Sequence, residues 1–235
     1  MNKNNTYIDW KNWEKDNFAK TSKLECAYFN NIVKILRLKE NSKILEIGFG
    51  NGAFLGYALS QNFQYEGVEE NLALVDLASK NNVDAYSSLS EVDKKSKYDL
   101  IILFDVLEHI DEDAVENFFK EMNFYLKKTG SIFLRFPNGS SPLGLANQHG
   151  DVTHCNTVTL PKLNYWCFNS DLKVTLSRGD IRPFIFRHNI IKMPARLIKI
   201  FFHSLTEKFI RLISTQSKGV LSSNLEVIVK KKNED

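Results

Sequence analysis

The chain has 235 residues, 43% hydrophobic and 25% charged, enough to bury one substantial core, so that a single domain with an elaboration is expected in preference to two independent ones. A net charge of +3 and a pI near 8.6 are too mild for a nucleic-acid face, which gathers its Lys and Arg on one surface. Cys26, Cys155 and Cys167 form no CxxC pair, which argues against a disulfide framework and a structural zinc site.

The N-terminal stretch "MNKNNTYIDWKNWEKDN" lacks an apolar h-region, and no run of about eighteen uncharged apolar residues follows. The expectation is therefore a soluble protein of the cytoplasm. Apolar residues at helical spacing in residues 24–38 predict a helix, and "SKILEIGFG" then has the dense apolar pattern of a buried strand. "AFLGYALSQN" reads as a helix, "FQYEGVEE" as a strand, "NLALVDLASKNN" as a helix and "VDAYS" as a short strand. "YDLIILFDVL" is a strong central strand, "DEDAVENFFKEMNFYLKKTG" a helix ended by Gly130, and "SIFLRFPN" a fifth strand.

This alternation predicts an α/β doubly wound, mostly parallel sheet over about residues 40–138, with ligands bound beyond the carboxyl ends of its strands. After Asn138 comes a long polar loop, "GSSPLGLANQHGDVTHCNTVT", of a length that compact domains usually reserve for function. "LPKLNYWCFNSDL" reads as a helix with Pro161 near its first turn, and "NLEVIVKKK" as a final strand. One domain over 1–235 is expected, with a helical arm at 1–39, a core at 40–138, an acceptor loop and helix at 139–189, and basic amphipathic helices plus the last strand at 190–235.

Gly48, Gly50 and Gly52 stop the first strand, and glycines there let backbone approach a ligand where a Cβ would collide. The run "GFGNGAF" does not match the dinucleotide GxGxxG at its third glycine, which favours a different adenosine ligand. About twenty residues on, Glu69 ends the second strand, where a carboxylate can accept from both ribose hydroxyls. The competing reading makes Glu69 and Glu70 the acidic first turn of the next helix.

Together, "ILEIGFGNG", "GVEEN" and "YDLIILFDVLEHI" resemble the class I S-adenosylmethionine-dependent methyltransferases. The resemblance implies a Rossmann-like seven-stranded sheet with helices on both faces and a helical insertion before the last strand. It implies S-adenosylmethionine as cofactor and S-adenosylhomocysteine as product. Carried onto this sequence, Gly48, Gly50 and Gly52 meet the methionine part of the cofactor, Glu69 the ribose, and Glu46 helps set the loop. Ser87, Ser88 and Leu89 flank the adenine, while Phe104, Asp105 and His109 face the amino-acid end. "LEH" is similar to a small-molecule subset, although Glu108 and His109 can equally just begin a helix.

Methyl transfer from a sulfonium is an in-line displacement, and an alcohol acceptor must also lose a proton. The polar loop supplies His149, Asp151 and His154; His154 is the expected base, with Asp151 or His149 as orienter or alternative. The same H-x-D-x-x-H spacing could hold a divalent metal, the less favoured reading, and the residues could also simply bond the loop backbone. "GDVTH" resembles a segment of methyltransferases of bacterial surface-glycan biosynthesis. That resemblance implies a sugar, nucleotide-sugar or phosphorylated acceptor, contacted by Arg135, Asn138 and Arg178. N-methylation of an amino sugar or amine, and a non-catalytic cofactor-binding partner, are the alternatives; nucleic acid is not an expected partner.

Trp10, Trp13 and Phe18 are expected either to cover the cofactor or to pack on the sheet. The stretch with Lys192, Arg196, Lys199, Lys208 and Arg211 reads as a homodimer or core-covering helix pair, in preference to a membrane-surface segment.

Overall fold

The computed structural model describes residues 17–179 and 220–232, together with Leu205 and Lys208. The expectations for Trp10, Trp13 and, Lys208 apart, the basic stretch at 190–214 lie outside these residues. Helix α1 (Lys23–Leu36) opens on a capping box, with Ser22 and Glu25 each accepting from the other's backbone N–H, a device worth about 1 kcal/mol. Strand β1 (Lys43–Ile47) leads through the glycine turn into α2 (Ala53–Ser60), followed by β2 (Gln64–Val68), α3 (Leu72–Lys80) and β3 (Asp84–Tyr86). Then come β4 (Tyr98–Phe104), α4 (Glu112–Tyr125), β5 (Leu126–Pro137), α5 (Leu145–His149), α6 (Leu160–Asn169), β6 (Leu172–Gly179) and β7 (Asn224–Lys231).

The seven strands form one sheet in the order β3-β2-β1-β4-β5-β7-β6. The first five strands pair in parallel, and β7 runs antiparallel between β5 and β6. Side chains alternate between two cores because successive residues of a strand face opposite ways. On one face Leu45, Ile101 and Leu134 meet Phe119 of α4 and Trp166 of α6; on the other, Ile44, Ile102 and Phe133 meet Phe29 of α1 and Phe54 of α2. The order reverses between β1 and β4, so the loops after those strands splay apart and open a ligand crevice.

Two expectations needed correction. The helix over residues 111–130 ends at Tyr125 rather than Gly130, because Leu126 is already extended and pairs with Tyr98. Gly130 serves sheet packing instead: a Cβ there would lie 2.8 Å from both Leu126 Cδ1 and the Tyr98 carbonyl oxygen. The segment expected to be only acceptor loop and helix also contains β6, which has a partly exposed edge and a register shift at Val174/Leu176 that blurs its period of two.

Candidate active site

Three backbone turns assemble at the carboxyl ends of β1, β2 and β4. Gly48, Gly50 and Gly52 have φ of +73°, +51° and +76°, the left-handed region that glycine enters without strain. A Cβ on Gly48 would stand 2.5 Å from Val106 Cγ2, so the glycine turn lies directly against the loop that follows β4.

Glu69 sits just past β2 with a backbone donor on each oxygen: Gly50 N–H to Oε2 at 3.0 Å and Asn71 N–H to Oε1 at 3.0 Å. Burial raises its pKa, while these two amides and that of Glu70 pull it back down. Each oxygen keeps a second lone pair, so the carboxylate is oriented by the fold and can still accept from a diol. Glu46, inside β1, is buried and accepts from Tyr65 Oη at 2.7 Å; burial pushes its carboxyl up to about 8. Ser88 caps the short turn Leu89–Glu91, and Leu89 is buried in the core between β4 and α4.

The N-terminal side also reaches this turn. Ala19 N–H donates to the Asn51 carbonyl at 2.9 Å, Thr21 Oγ1 donates to the Ala53 carbonyl at 2.7 Å, and Phe18 packs edge-on against Phe49. Phe18 is thus a core residue beside the glycine loop.

Beyond β4, Asp105 is held at φ +55° and pairs with Arg135 of β5 through Nε at 3.1 Å and through Nη2. Phe104 lies among Phe29, Phe54 and Phe133, with the Arg135 guanidinium 5.0 Å from its ring centre. The next turn, Leu107–His109, buries Glu108 completely.

The loop after β5 folds back onto this turn. The N–H groups of Cys155 and Asn156 both donate to the Glu108 carbonyl, at 2.9 and 3.1 Å. His154 Nε2 then lies 4.0 Å from Glu108 Oε1 and 3.9 Å from Asp151 Oδ2, and its ring stacks edge-on against His109 at 4.7 Å. His154 Nδ1 is 2.8 Å from the Gln148 carbonyl. A carbonyl only accepts, so Nδ1 carries the proton and the lone pair of the neutral ring is on Nε2, facing the two carboxylates. Thr153 Oγ1 donates to Asp151 Oδ1 and lies 3.1 Å from His109 Nδ1. The arrangement can accept a proton at one imidazole and stabilise the cation that results.

The structure keeps the expected pair Asp151 and His154 together and adds His109, which the sequence assigns to the cofactor side, while three expected residues fall elsewhere. His149 ends α5 on the surface and has no part in the cluster. Arg178 on β6 is committed to Glu226 at 2.7 Å and to Asn31, and buried Asn138 spends its amide on the Val220 carbonyl and the Ser140 N–H. Both are held by partners within the fold. Glu108 is the residue sequence reasoning left out of the site: its burial comes from a loop more than forty residues downstream.

A family model described as a methyltransferase domain matches residues 21–177. The chain belongs to that family. No curated protein matches its sequence. Among solved structures, the methyltransferase resembles an S-adenosylmethionine-dependent methyltransferase from Archaeoglobus fulgidus, with TM-score 0.62, 16% identity, and 96% of this chain and 98% of that one covered. A TehB-like methyltransferase from Corynebacterium glutamicum gives TM-score 0.58 at 17% identity over 97% of each chain. The plantazolicin methyltransferase BpumL, solved with S-adenosylhomocysteine, gives 0.57 at 16% identity over 98% and 90%.

Membership makes the protein an enzyme that takes its methyl group from S-adenosylmethionine. The residues present fit that cofactor on two counts: a turn whose first glycine cannot carry a Cβ, and an anchored carboxylate with lone pairs to spare. None of the described helices is long and apolar enough to cross a membrane.

Proposed function

We propose that this methyltransferase, working as one domain, methylates a hydroxyl of a small sugar-containing acceptor, a sugar or nucleotide-sugar of the kind used in surface-polysaccharide biosynthesis. The observation that carries the reading is the protonated Nδ1 of His154, bonded to the Gln148 carbonyl, which leaves Nε2 basic beside two carboxylates. A carboxylate acceptor would not need such a group, whereas an alcohol must give up its proton as it attacks.

In this reading Gly48, Gly50 and Gly52 form the cofactor cradle, Glu69 receives the ribose hydroxyls, and Ser88 and Leu89 border the base. S-adenosylmethionine supplies a methyl on an activated sulfonium. The protein's own work is to hold the acceptor hydroxyl near His154, take up its proton at Nε2 as oxygen attacks, and stabilise the imidazolium with Asp151. The glycan acceptor rests on the resemblance of the "GDVTH" segment, whose Asp151, Thr153 and His154 all belong to the cluster. Phosphate recognition by Arg135 and Arg178 loses support, because both guanidiniums are paired with acids.

A methyl-release assay over free sugars, nucleotide sugars and amino sugars tests the proposal. Transfer to a hydroxyl, with product mass and position read by NMR, is the expected outcome. Transfer to amino sugars alone would replace it with N-methylation.

A further inference from the structure

Glu108 presents a problem that methyl transfer by His154 alone does not solve. Its side chain is wholly buried, and neither carboxylate oxygen meets a hydrogen-bond donor from another residue among those described, its own backbone N–H alone easing the charge. A carboxylate taken out of water without partners costs several kcal/mol, so native proteins rarely keep one except where something binds it. Burial pushes this carboxyl up to about 8, and the neighbouring Asp105 charge adds to the rise.

The unmet demand extends to the loop that closes over it. Asn156 and Gln148 are also buried, and among the described residues neither oxygen nor nitrogen of the Asn156 amide has a partner, nor has Gln148 Oε1. These two residues are tied to the same place: the Asn156 N–H donates to the Glu108 carbonyl, and the Gln148 carbonyl holds His154 Nδ1.

One ligand atom from each of Glu108, His109 and His154 lies within 4.8 Å of the other two. The His154 bond to Gln148 is the arrangement by which proteins fix a metal-binding imidazole, one nitrogen held by a carbonyl so that the other presents its lone pair. Asp151 Oδ2, 3.9 Å from His154 Nε2, stands beside them as a further oxygen.

We infer that Glu108, His109 and His154 bind a divalent first-row transition-metal ion, with Asp151 at its edge. Two imidazoles and a carboxylate suit Mn²⁺, Fe²⁺, Co²⁺ or Zn²⁺, whereas Ca²⁺ and Mg²⁺ prefer oxygen throughout. Donors on one such ion stand about 3 Å apart, so the 4.0 Å between His154 Nε2 and Glu108 Oε1 closes by about 1 Å, a side-chain adjustment. The ion set differs from the H-x-D-x-x-H spacing visible in the sequence: His149 is outside it, and Glu108 and His109 come from the turn after β4.

The inference deepens the proposed function and, for its chemistry, rests on it. With an ion bound, the His154 lone pair goes to the metal. Such an ion would make a bound acceptor hydroxyl more acidic, so that its proton would pass to Asp151 or to solvent water as its oxygen took the methyl from the sulfonium and S-adenosylhomocysteine left. Direct abstraction by His154 Nε2 is the route of the metal-free protein.

The site is tested without cofactor or acceptor, so its fate is separate from that of the acceptor reading. The full-length protein, stripped with EDTA and exchanged into metal-free buffer, is titrated with Co²⁺ and followed by visible absorption, and with Mn²⁺ followed by calorimetry. One equivalent is expected, with a d–d spectrum of mixed N/O ligation. Glu108→Gln and His154→Ala are each expected to weaken binding at least about tenfold, and His149→Ala to leave it unchanged. Thermal melts without metal control for folding: Glu108→Gln should melt at or above the native temperature, because it removes a buried, unpartnered carboxylate.

No stoichiometric binding by the wild type, or equal binding by Glu108→Gln, overturns the site and leaves direct abstraction by His154 standing. Stoichiometric binding that depends on Glu108, in a protein that methylates only amines, sustains the site and overturns the hydroxyl reading instead.

Discussion

Around Glu69 each carboxylate oxygen is met by a backbone N–H, from Gly50 and Asn71, while around Glu108, buried more deeply still, neither oxygen meets a donor from another residue among those described. The first group is held by main chain that cannot be mutated away, in turns that close locally after β1 and β2. The second is enclosed by side chains brought from the turn after β4 and the loop after β5. The cofactor side is thus satisfied before a ligand arrives, and the acceptor side is left with polar groups to be matched by what it binds. Preformed hydrogen bonds set a geometry at little cost, and unmet ones reserve binding free energy for the reacting partner.

The comparison breaks most visibly at His154. His154→Ala is expected to lower turnover about 10²- to 10⁴-fold, read by initial rates once an acceptor is found, because general-base catalysis has that size. Full turnover in this variant would leave the acceptor side without its stated chemistry. On the cofactor side, Gly48→Ala puts a Cβ at φ +73° and 2.5 Å from Val106 Cγ2, and urea unfolding is expected to show a loss of about 2–4 kcal/mol. Adding Val106→Ala should return part of it, and no recovery would mean that the strain is in the backbone alone.

Glu46 sharpens the contrast, being a buried acid with one donor, Tyr65. Its carboxyl is pushed up to about 8 in the folded chain, against about 4.3 for an unfolded one. Between those values the folded chain keeps a proton that the unfolded chain has released, so stability falls as pH rises from about 5 to about 8. Glu46→Gln is expected to gain about 1–3 kcal/mol on the wild type at pH 8 and much less at pH 5, by urea unfolding at both. An equal difference at the two pH values would refute the assignment. The smallest effect is reserved for His149→Ala, with turnover within about twofold of wild type, since that side chain is on the surface at the end of α5.

What was legible in the sequence follows the same division. The strand that ends in Gly48, and Glu69 about twenty residues on, could be read because their meaning is local: positive φ demands glycine, and the acid follows its strand directly. The long strand Leu126–Pro137 was misread at its start, since its pairing of Leu126 with Tyr98 is a tertiary fact that "YLKK" does not display. Arg178 and Asn138 looked available for an acceptor because their partners, Glu226 and the Val220 carbonyl, lie 48 and 82 residues away. Glu108 could not be singled out from its tripeptide, because only the folded loop at 151–156 shows it buried against His154.

The division of labour between the two sides is tested most directly by calorimetry with S-adenosylhomocysteine on Glu69→Ala and His154→Ala side by side. Losing one charged acceptor of hydrogen bonds should weaken binding about 10- to 100-fold in Glu69→Ala, while His154→Ala binds within about twofold of the wild type. Equal losses in both variants, or none in Glu69→Ala, would contradict the account.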